Sequence, residues 1–325
     1  MIQPSRTRNA SLGDDQRDAA IALSTAGDGV ALLVGRAGTG KTHTLGAVRT
    51  AYEQAGWAVI GLAPSARAAR ELEAGAGIDA TTIARHLVEQ RSVDGRTVIV
   101  IDEAGMAGTR DLAQVIDQAT AARAKVILVG DHHQLPEVAA GGTFRAAIDL
   151  LGDQAAELRV NRRQREPWEQ AALDHLRNGD VATAFAAYRD HGRVIVADTA
   201  ADVHAIAVAD WVAARRDGET LLLAGTRAET RLLNQLARKR LAELGQLDLS
   251  SQITFADRPF VVGDEIVLLK NHREQTTESG APFEVNNGMR GVVVDLTHDS
   301  MTIELPDGAR VRLDRHYLDN GWVDH

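Results

Sequence analysis

The chain contains no cysteine among its 325 residues, which excludes disulfides and thiolate metal sites. Aromatic residues make up only 4%. Few side chains are therefore on offer to stack on bases, and any nucleic-acid binding is expected to follow the backbone without sequence preference. No apolar run approaches the roughly 18 residues a membrane span needs. The first stretch, "MIQPSRTRNASLGDDQ", has no apolar core of the signal-peptide kind. These absences point to a cytoplasmic protein without membrane insertion. Positive charge is also scarce, with a net charge of -9 and a pI of about 5.7. Bulk charge therefore does not advertise nucleic-acid binding, and it does not exclude it either, because a local basic groove is enough. Arginines do cluster, in "RVNRRQR" from Arg159, in "AARR" ending at Arg216 and between Thr226 and Arg240. Such runs fit solvated helix faces as well as a groove.

What is present is enough apolar residue, 44%, for about two domains. Short apolar runs alternate with alanine-rich helical stretches. "GVALLVG" (29–35), "AVIGLA" (58–63), "TVIVID" (97–102) and "KVILVGD" (125–131) are each followed by a helical pattern, as in a parallel sheet covered on both faces. From about 151 the alternation is looser, with strands expected at 193–197 and 220–226. After residue 255 come short strands and tight turns, among them Asp307-Gly308, a favoured hairpin pair. The expected class is α/β, with one α/β domain over 1–150, a second, incomplete one over 151–255 and a β-barrel-like insert over 256–325.

"GRAGTGKT", Gly35 to Thr42, follows a strand and opens a helix, the context of a phosphate-binding loop. Gly35, Ala37, Gly38, Thr39 and Gly40 would turn backbone N–H groups onto phosphates, helped by the helix N-terminus. Lys41 would contact the β/γ-phosphates and Thr42 would hold Mg²⁺. Asp102, just past "VIVI", can hold Mg²⁺ through water. Its neighbour Glu103 can polarise an attacking water. "GDHHQLP" ends another strand of the same sheet. Its Gln134 carries both donor and acceptor and can sense a γ-phosphate. His132 and His133 lack the further ligands and supporting shell of a metal site. They fit structural, DNA-facing or coupling roles.

In this order the motifs resemble superfamily 1 helicases, and more closely the RecD-like branch in the C-terminal part of conjugative relaxases of the TraA/TrwC type. "LGDDQRDA" resembles the Q-motif, which implies that Gln16 reads adenine. "GRAGTGKT" and "DEAGM" are the two Walker motifs. "APSARAARELE" and "TTIARHL" resemble motifs Ia and Ib, implying single-stranded DNA contacts from Pro64, Ser65 and Thr82; Thr226 follows from the later "LLLAGTRAET". Ordinary loop and helix-cap chemistry accounts for the same four residues. "GDHHQLPEV" resembles motif III. "LRVNRRQ" resembles motif IV, with Arg162 where an aromatic is usual and Arg163 as the arginine that reaches the γ-phosphate. A P-loop site needs such a charge from across the cleft, and placed at the start of a second domain it would couple hydrolysis to domain closure. "FVVGDEIVLLKN…VNNGMRGVV" resembles the RecD-like insert.

The resemblance implies two RecA-like P-loop NTPase domains, ATP and Mg²⁺ as cofactors, single-stranded DNA as partner and 5′ to 3′ movement in conjugative transfer. It also implies a link to a relaxase or the conjugation machinery. Around Asp94-Gly95 it implies the strand-separating pin or its remnant, where the residues alone suggest a plain turn. "HYLDNGWVDH" comes before any match to motifs V and VI, and no relaxase histidine triad is present. A core cut at both ends is expected, with nucleotide binding retained and an exposed edge in the second domain. Three readings compete: an ATP-dependent DNA helicase core, an ATP- and DNA-binding module without turnover, and another P-loop enzyme such as a small-molecule kinase. The last would need an acceptor pocket and lid that the residues do not indicate.

Overall fold

The computed structural model describes residues 12–134, 141–218 and 220–325, and the chain divides into two compact units, 1–193 and 194–325. The expectations placed on residues 1–11 and on Leu135 to Val138 of motif III lie outside the described residues. No helix among the described residues is long and apolar enough to cross a membrane.

The first unit opens with helix α1 (Asp14–Thr25), strand β1 (Val30–Gly35) and α2 (Lys41–Gln54). It continues through β2 (Ala58–Ala63), α3 (Ala66–Ala76), β3 (Asp79–Thr82), α4 (Ile83–Glu89), β4 (Thr97–Ile101), α5 (Thr109–Ala122) and β5 (Lys125–Gly130). It closes with α6 (Thr143–Leu151), β6 (Ala156–Leu158), α7 (Pro167–Arg177) and α8 (Val181–Asp190). The six strands form one sheet in the order β3-β2-β4-β5-β1-β6, and every pairing is parallel.

The central strands β4 and β5 are buried at every residue. Helices cover both faces, so inward and outward side chains alike must be apolar. One core gathers Leu33, Leu45, Val48, Leu72, Val98 and Val100, the other Leu32, Ile99, Ile101, Leu112, Val126 and Leu128. The polar exceptions are Thr97, whose hydroxyl donates to Asp94 (2.8 Å), and Lys125, whose ammonium donates to the carbonyls of Ala26 (2.6 Å) and Asp28 (3.0 Å). Helices α7 and α8 pair through Trp168, which meets Tyr188 edge-on and stacks on His191 with ring centroids 3.9 Å apart.

Two expectations shift here. Residues 151–193 pack with the first unit, because β6 adds to the free side of β1. Around Asp94 there is a turn and no paired strand among the described residues. The Asp94 carboxylate accepts from the Arg96 N–H and the Thr97 hydroxyl and closes the turn onto β4.

The second unit holds α9 (Ala200–Ala214) and α10 (Arg227–Glu243), which pack through Val208, Leu233 and Ala237. Strands β7 (Ile253–Phe255) and β8 (Arg258–Phe260) form a small ribbon. Seven more strands follow: β9 (Glu265–Leu268), β10 (His272–Thr277), β11 (Pro282–Val285), β12 (Arg290–Leu296), β13 (Ser300–Glu304), β14 (Arg310–Asp314) and β15 (Val323–Asp324). They make a curled antiparallel sheet in the order β11-β10-β14-β13-β12-β9-β15 around a core of Phe260, Met301, Ile303, Val311 and Tyr317. Asp307-Gly308 turns β13 into β14, with Gly308 at φ +83°. Arg238 of α10 forks onto the buried Asp264 carboxylate at 2.8 and 2.9 Å, fastening helix to sheet.

The segments 193–197 and 220–226, expected as strands, join no ladder among the described residues. Strand character in a parallel sheet depends on neighbours to bond with, and here Val196 and Leu223 are each 83% exposed.

Candidate active site

A parallel sheet delivers all its strand C-termini to one edge. In this sheet β4, β5, β1 and β6 are successive neighbours, with Ile101 opposite Leu128, Val34 opposite Gly130, and Gly35 opposite Leu158. Four connecting segments therefore leave side by side: Asp102-Glu103, Asp131 to Gln134, Arg36 to Gly40, and Arg159 to Gln164.

The glycine loop takes the shape its residues allow. Gly38 and Gly40 both have φ +83°, a region costly for side-chain-bearing residues. A Cβ on Gly38 would lie 2.6 Å from Cβ of Arg163 and 2.9 Å from Oδ1 of Asn161. Arg36 and Ala37 are exposed. The Thr39 hydroxyl donates to the Arg36 carbonyl (2.8 Å), and Lys41 Nζ donates to the Gly35 carbonyl (3.0 Å). Lys41 and Thr42 form the first turn of α2, whose free N–H groups face the loop.

Gln16 is buried, and both ends of its amide are engaged. Its Oε1 accepts from the Gly13 N–H (3.1 Å), while Nε2 donates to the carbonyls of Thr39 (3.1 Å) and Gly40 (3.3 Å). The residue expected at adenine thus braces the phosphate loop from α1.

Asp102 is buried, and burial together with the adjacent Glu103 pushes its carboxyl up to about 6, against the Glu103 N–H bond at 2.9 Å that pulls it down. Glu103 itself sits in the left-handed region at φ +50°. This is a local strain of roughly 1–2 kcal/mol for a residue with a Cβ.

The Asp131 side chain is 2% exposed and pairs with Arg177 of α7 at 2.6 Å. Burial alone would raise the Asp131 carboxyl. The His133 N–H bond, Arg177 and Lys41 outweigh it and hold the group below its ordinary range. Gln134 is half-buried, donates its N–H to the Asp131 carbonyl (3.2 Å), and has no side-chain partner among the described residues. The rings of His132 and His133 lean on each other with centroids 4.1 Å apart. Among the described residues no group of three or more acidic or imidazole side chains is placed to hold a metal ion.

The arginine loop is tied down on both sides. Asp15 accepts from the N–H groups of Arg159 (3.2 Å) and Val160 (3.1 Å) and pairs with the Arg162 guanidinium. Arg162 also donates its N–H to the Gly38 carbonyl (2.8 Å) and Nη1 to the Thr39 carbonyl (3.0 Å). Asn161 Oδ1 accepts from the N–H groups of Arg163 (2.9 Å) and Gln164 (3.3 Å). Arg163 is exposed and its guanidinium is unpaired among the described residues. It belongs to the same compact unit as the glycine loop. The sequence-based reading, in which Arg163 opens a second domain, missed this because β6 is the tripeptide Ala156-Glu157-Leu158 with one buried residue.

Pro64-Ser65 and Thr82 follow β2 and β3 at the same sheet edge, with Ala63 opposite Thr82. Ser65 and Thr82 are N-caps, accepting from the N–H groups of Ala68 (3.2 Å) and Arg85 (3.1 Å). Thr226, in the second unit, caps α10 through the Glu229 N–H (3.1 Å). Sequence reasoning did not single out Asp15, Gln170, Asp174 or Arg177. The partners of Asp15, Asp174 and Arg177 lie far along the chain, those of Gln170 in the irregular turn just before its helix, and no local pattern marks them.

The sequence profile of the AAA domain family matches residues 11–199. The probable conjugal transfer protein TraA of Sinorhizobium fredii is 38% identical over 338 residues, covering 100% of this chain and 29% of that protein. The ATP-dependent RecD2 DNA helicase of Deinococcus radiodurans is 32% identical over 145 residues, 41% of this chain and 20% of that protein. A solved structure of two coordinating Pif1 helicases at forked dsDNA has a TM-score of 0.51 at 17% identity, covering 94% of this chain and 76% of that one. The chain thus spans less than a third of the length of the TraA relative it matches.

Proposed function

The chain belongs to the AAA domain family, as kin of the RecD-like superfamily 1 helicases and of TraA, and from that premise we propose that it is an ATP-driven, single-stranded DNA translocase or helicase core of a conjugative relaxase-type protein. One observation carries the reading: the adjacent parallel strands β4, β5, β1 and β6 bring the phosphate loop, Asp102-Glu103, Gln134 and the Arg163 loop to a single edge within one compact unit. A phosphate-binding loop alone would fit many enzymes. A strand-end carboxylate pair, an amide and an arginine around it fit hydrolysis of a phosphoanhydride.

In this reading the N–H groups of residues Gly35, Ala37, Gly38, Thr39 and Gly40 and the α2 N-terminus receive the phosphates. Lys41 exchanges the Gly35 carbonyl for a phosphate oxygen. Thr42 and Asp102 would hold Mg²⁺, which when bound supplies positive charge against the phosphate oxygens. The donor set fits, since a cation beside Asp102 would offset the burial that raises its carboxyl. Glu103 takes the proton of the attacking water. Gln134 orients that water, and Arg163 neutralises charge that develops on the transferred group, a contribution on the order of 10³–10⁵ in rate where such arginines have been measured. Gln16 braces the loop, and reading adenine would require it to exchange one of its carbonyl bonds. Pro64, Ser65, Thr82 and Thr226 would contact the DNA backbone. Movement from 5′ to 3′ and service to a relaxase or conjugation machinery in the cytoplasm follow from kinship.

The test is ATP hydrolysis by residues 1–325 with and without single-stranded DNA, with Lys41→Ala as the blank. DNA-stimulated hydrolysis that disappears in the variant is the expected result. ATP binding without hydrolysis would reject the motor reading in favour of a binding module.

A further inference from the structure

Helix α7 carries three polar side chains at spacings of four and three residues, Gln170, Asp174 and Arg177, which a helix stacks along one face. Each reaches a different segment of the sheet edge. Gln170 Nε2 donates to the carbonyls of Asn161 (3.3 Å) and Gln164 (2.7 Å), at the two ends of the turn that bears Arg163. Asp174 pairs with Arg36 of the phosphate loop. Arg177 donates to Asp131 at 2.6 Å, at the end of β5.

The three contacts differ in depth. The Arg36–Asp174 pair is about half exposed on both sides, and pairs in water contribute little. Asp131 is 2% exposed and Arg177 25%. Asp131 is also the hub of its own turn: its Oδ1 accepts from the His133 N–H (3.1 Å) and its carbonyl from the Gln134 N–H (3.2 Å). Whatever fixes the Asp131 carboxylate therefore fixes where Gln134 begins. Nε of Arg177 is buried and has no partner among the described residues.

We propose that α7 is a positioning bar for the phosphate site: the face bearing Gln170, Asp174 and Arg177 sets the arginine loop, the phosphate loop and the β5 turn relative to one another, and Arg177, acting through Asp131, positions Gln134. The role of Gln134 in hydrolysis rests on the function proposed above. The bar itself does not, because its contacts join only groups of this chain. Arg177 is a positioning residue, and its loss misplaces a side chain by a fraction of an ångström to an ångström. Displacements of that size cost up to about 10²-fold in rate.

The test compares the full chain with Arg177→Met, Arg177→Lys, Gln134→Ala and the Arg177→Met/Gln134→Ala double variant. Expected for Arg177→Met is a fall in kcat for MgATP of about 10- to 100-fold with KM for ATP little changed. The double variant should be no slower than Gln134→Ala alone, since Arg177 acts through Gln134. Arg177→Lys should recover part of the rate. Multiplying losses in the double variant, or an unchanged kcat in Arg177→Met, would overturn the proposal. Should Arg177→Met fail to fold, Asp131→Asn tests the same link with the helix intact.

Amide exchange gives a readout independent of hydrolysis. The His133 and Gln134 amides should exchange faster in Arg177→Met than in the native chain, while α2 amides are unchanged. Equal protection at 133 and 134 rejects the bar even if the native chain proves unable to hydrolyse ATP. Faster exchange in a chain that does not turn over would reject the motor reading and keep the bar.

Discussion

At the scale of single residues, two carboxylates at this edge respond to pH in opposite directions. Asp15 is held down to about 2, first by the Arg162 bond and then by the Val160 and Arg159 N–H groups, against burial. A depressed carboxyl contributes stability above its unfolded value and loses it only as pH falls through the folded one. Asp15→Asn should therefore lower Tm at pH 7 and still lower it at pH 3, with the difference closing only toward pH 2. Asp102, raised to about 6 by burial, does the reverse. Its folded state prefers the proton, so its contribution is greatest below the unfolded value of 3.8 and is lost as pH rises through 6. That rise corresponds to a cost on the order of 3 kcal/mol at neutral pH. Asp102→Asn should accordingly raise Tm at pH 7.5 in metal-free buffer, with the gain fading by pH 4, as thermal denaturation would measure. Gly38→Ala is a steric case: both its φ and the nearby Arg163 Cβ oppose a side chain. It should weaken ATP binding and cost roughly 1–3 kcal/mol of stability, and a chain that binds ATP as before would show that the loop yields.

At the scale of elements, Ser65 and Thr82 do two jobs in prospect, capping α3 and α4 and facing DNA. The jobs separate by chemistry. Ser65→Ala should cost about 1 kcal/mol of stability through the lost cap. Ser65→Asp keeps a capping oxygen and adds a negative charge, so Tm should hold while affinity for single-stranded DNA falls. Unchanged DNA affinity in Ser65→Asp would leave Ser65 as a cap alone. The elements legible in the sequence were those with strong local signals. β1, β2, β4 and β5 are continuous apolar runs, and the phosphate loop is a fixed glycine spacing between strand and helix. β6 was not legible, because three residues with a polar middle carry no period. Yet β6 decides where Arg163 goes. The segments 193–197 and 220–226 read as strands locally and join no ladder, since pairing depends on partners that local composition does not report. Hydrogen-bond hubs such as Asp15, with donors more than 140 positions away, are invisible for the same reason.

At the scale of the whole molecule, every residue proposed for nucleotide chemistry lies within 1–193, while Thr226 and the curled sheet lie within 194–325. A chain shortened to residues 1–193 should still bind ATP. Loss of binding, measured by calorimetry on a folded fragment, would show that the second unit supplies part of the nucleotide site. The order of motifs along the chain made the kinship readable, because order survives where individual side chains do not. The division into units was less readable, since the sequence shows where motifs fall but not which sheet a short strand joins. The Arg163 loop bonds to the phosphate loop within the first unit, and α7 and α8 are the last elements of that unit before Arg193.

The α7–α8 pair carries its own reporter. The indole of Trp168 opens α7 two positions before Gln170 and lies flat on His191, just past the end of α8, at an interplanar angle of 7°. A protonated imidazole pressed on an indole quenches its emission, so under acidic conditions emission brightens when the two rings part. With Trp57, Trp211 and Trp322 replaced by phenylalanine, the remaining emission of one side chain would report whether ATP parts the two rings, with no dye attached.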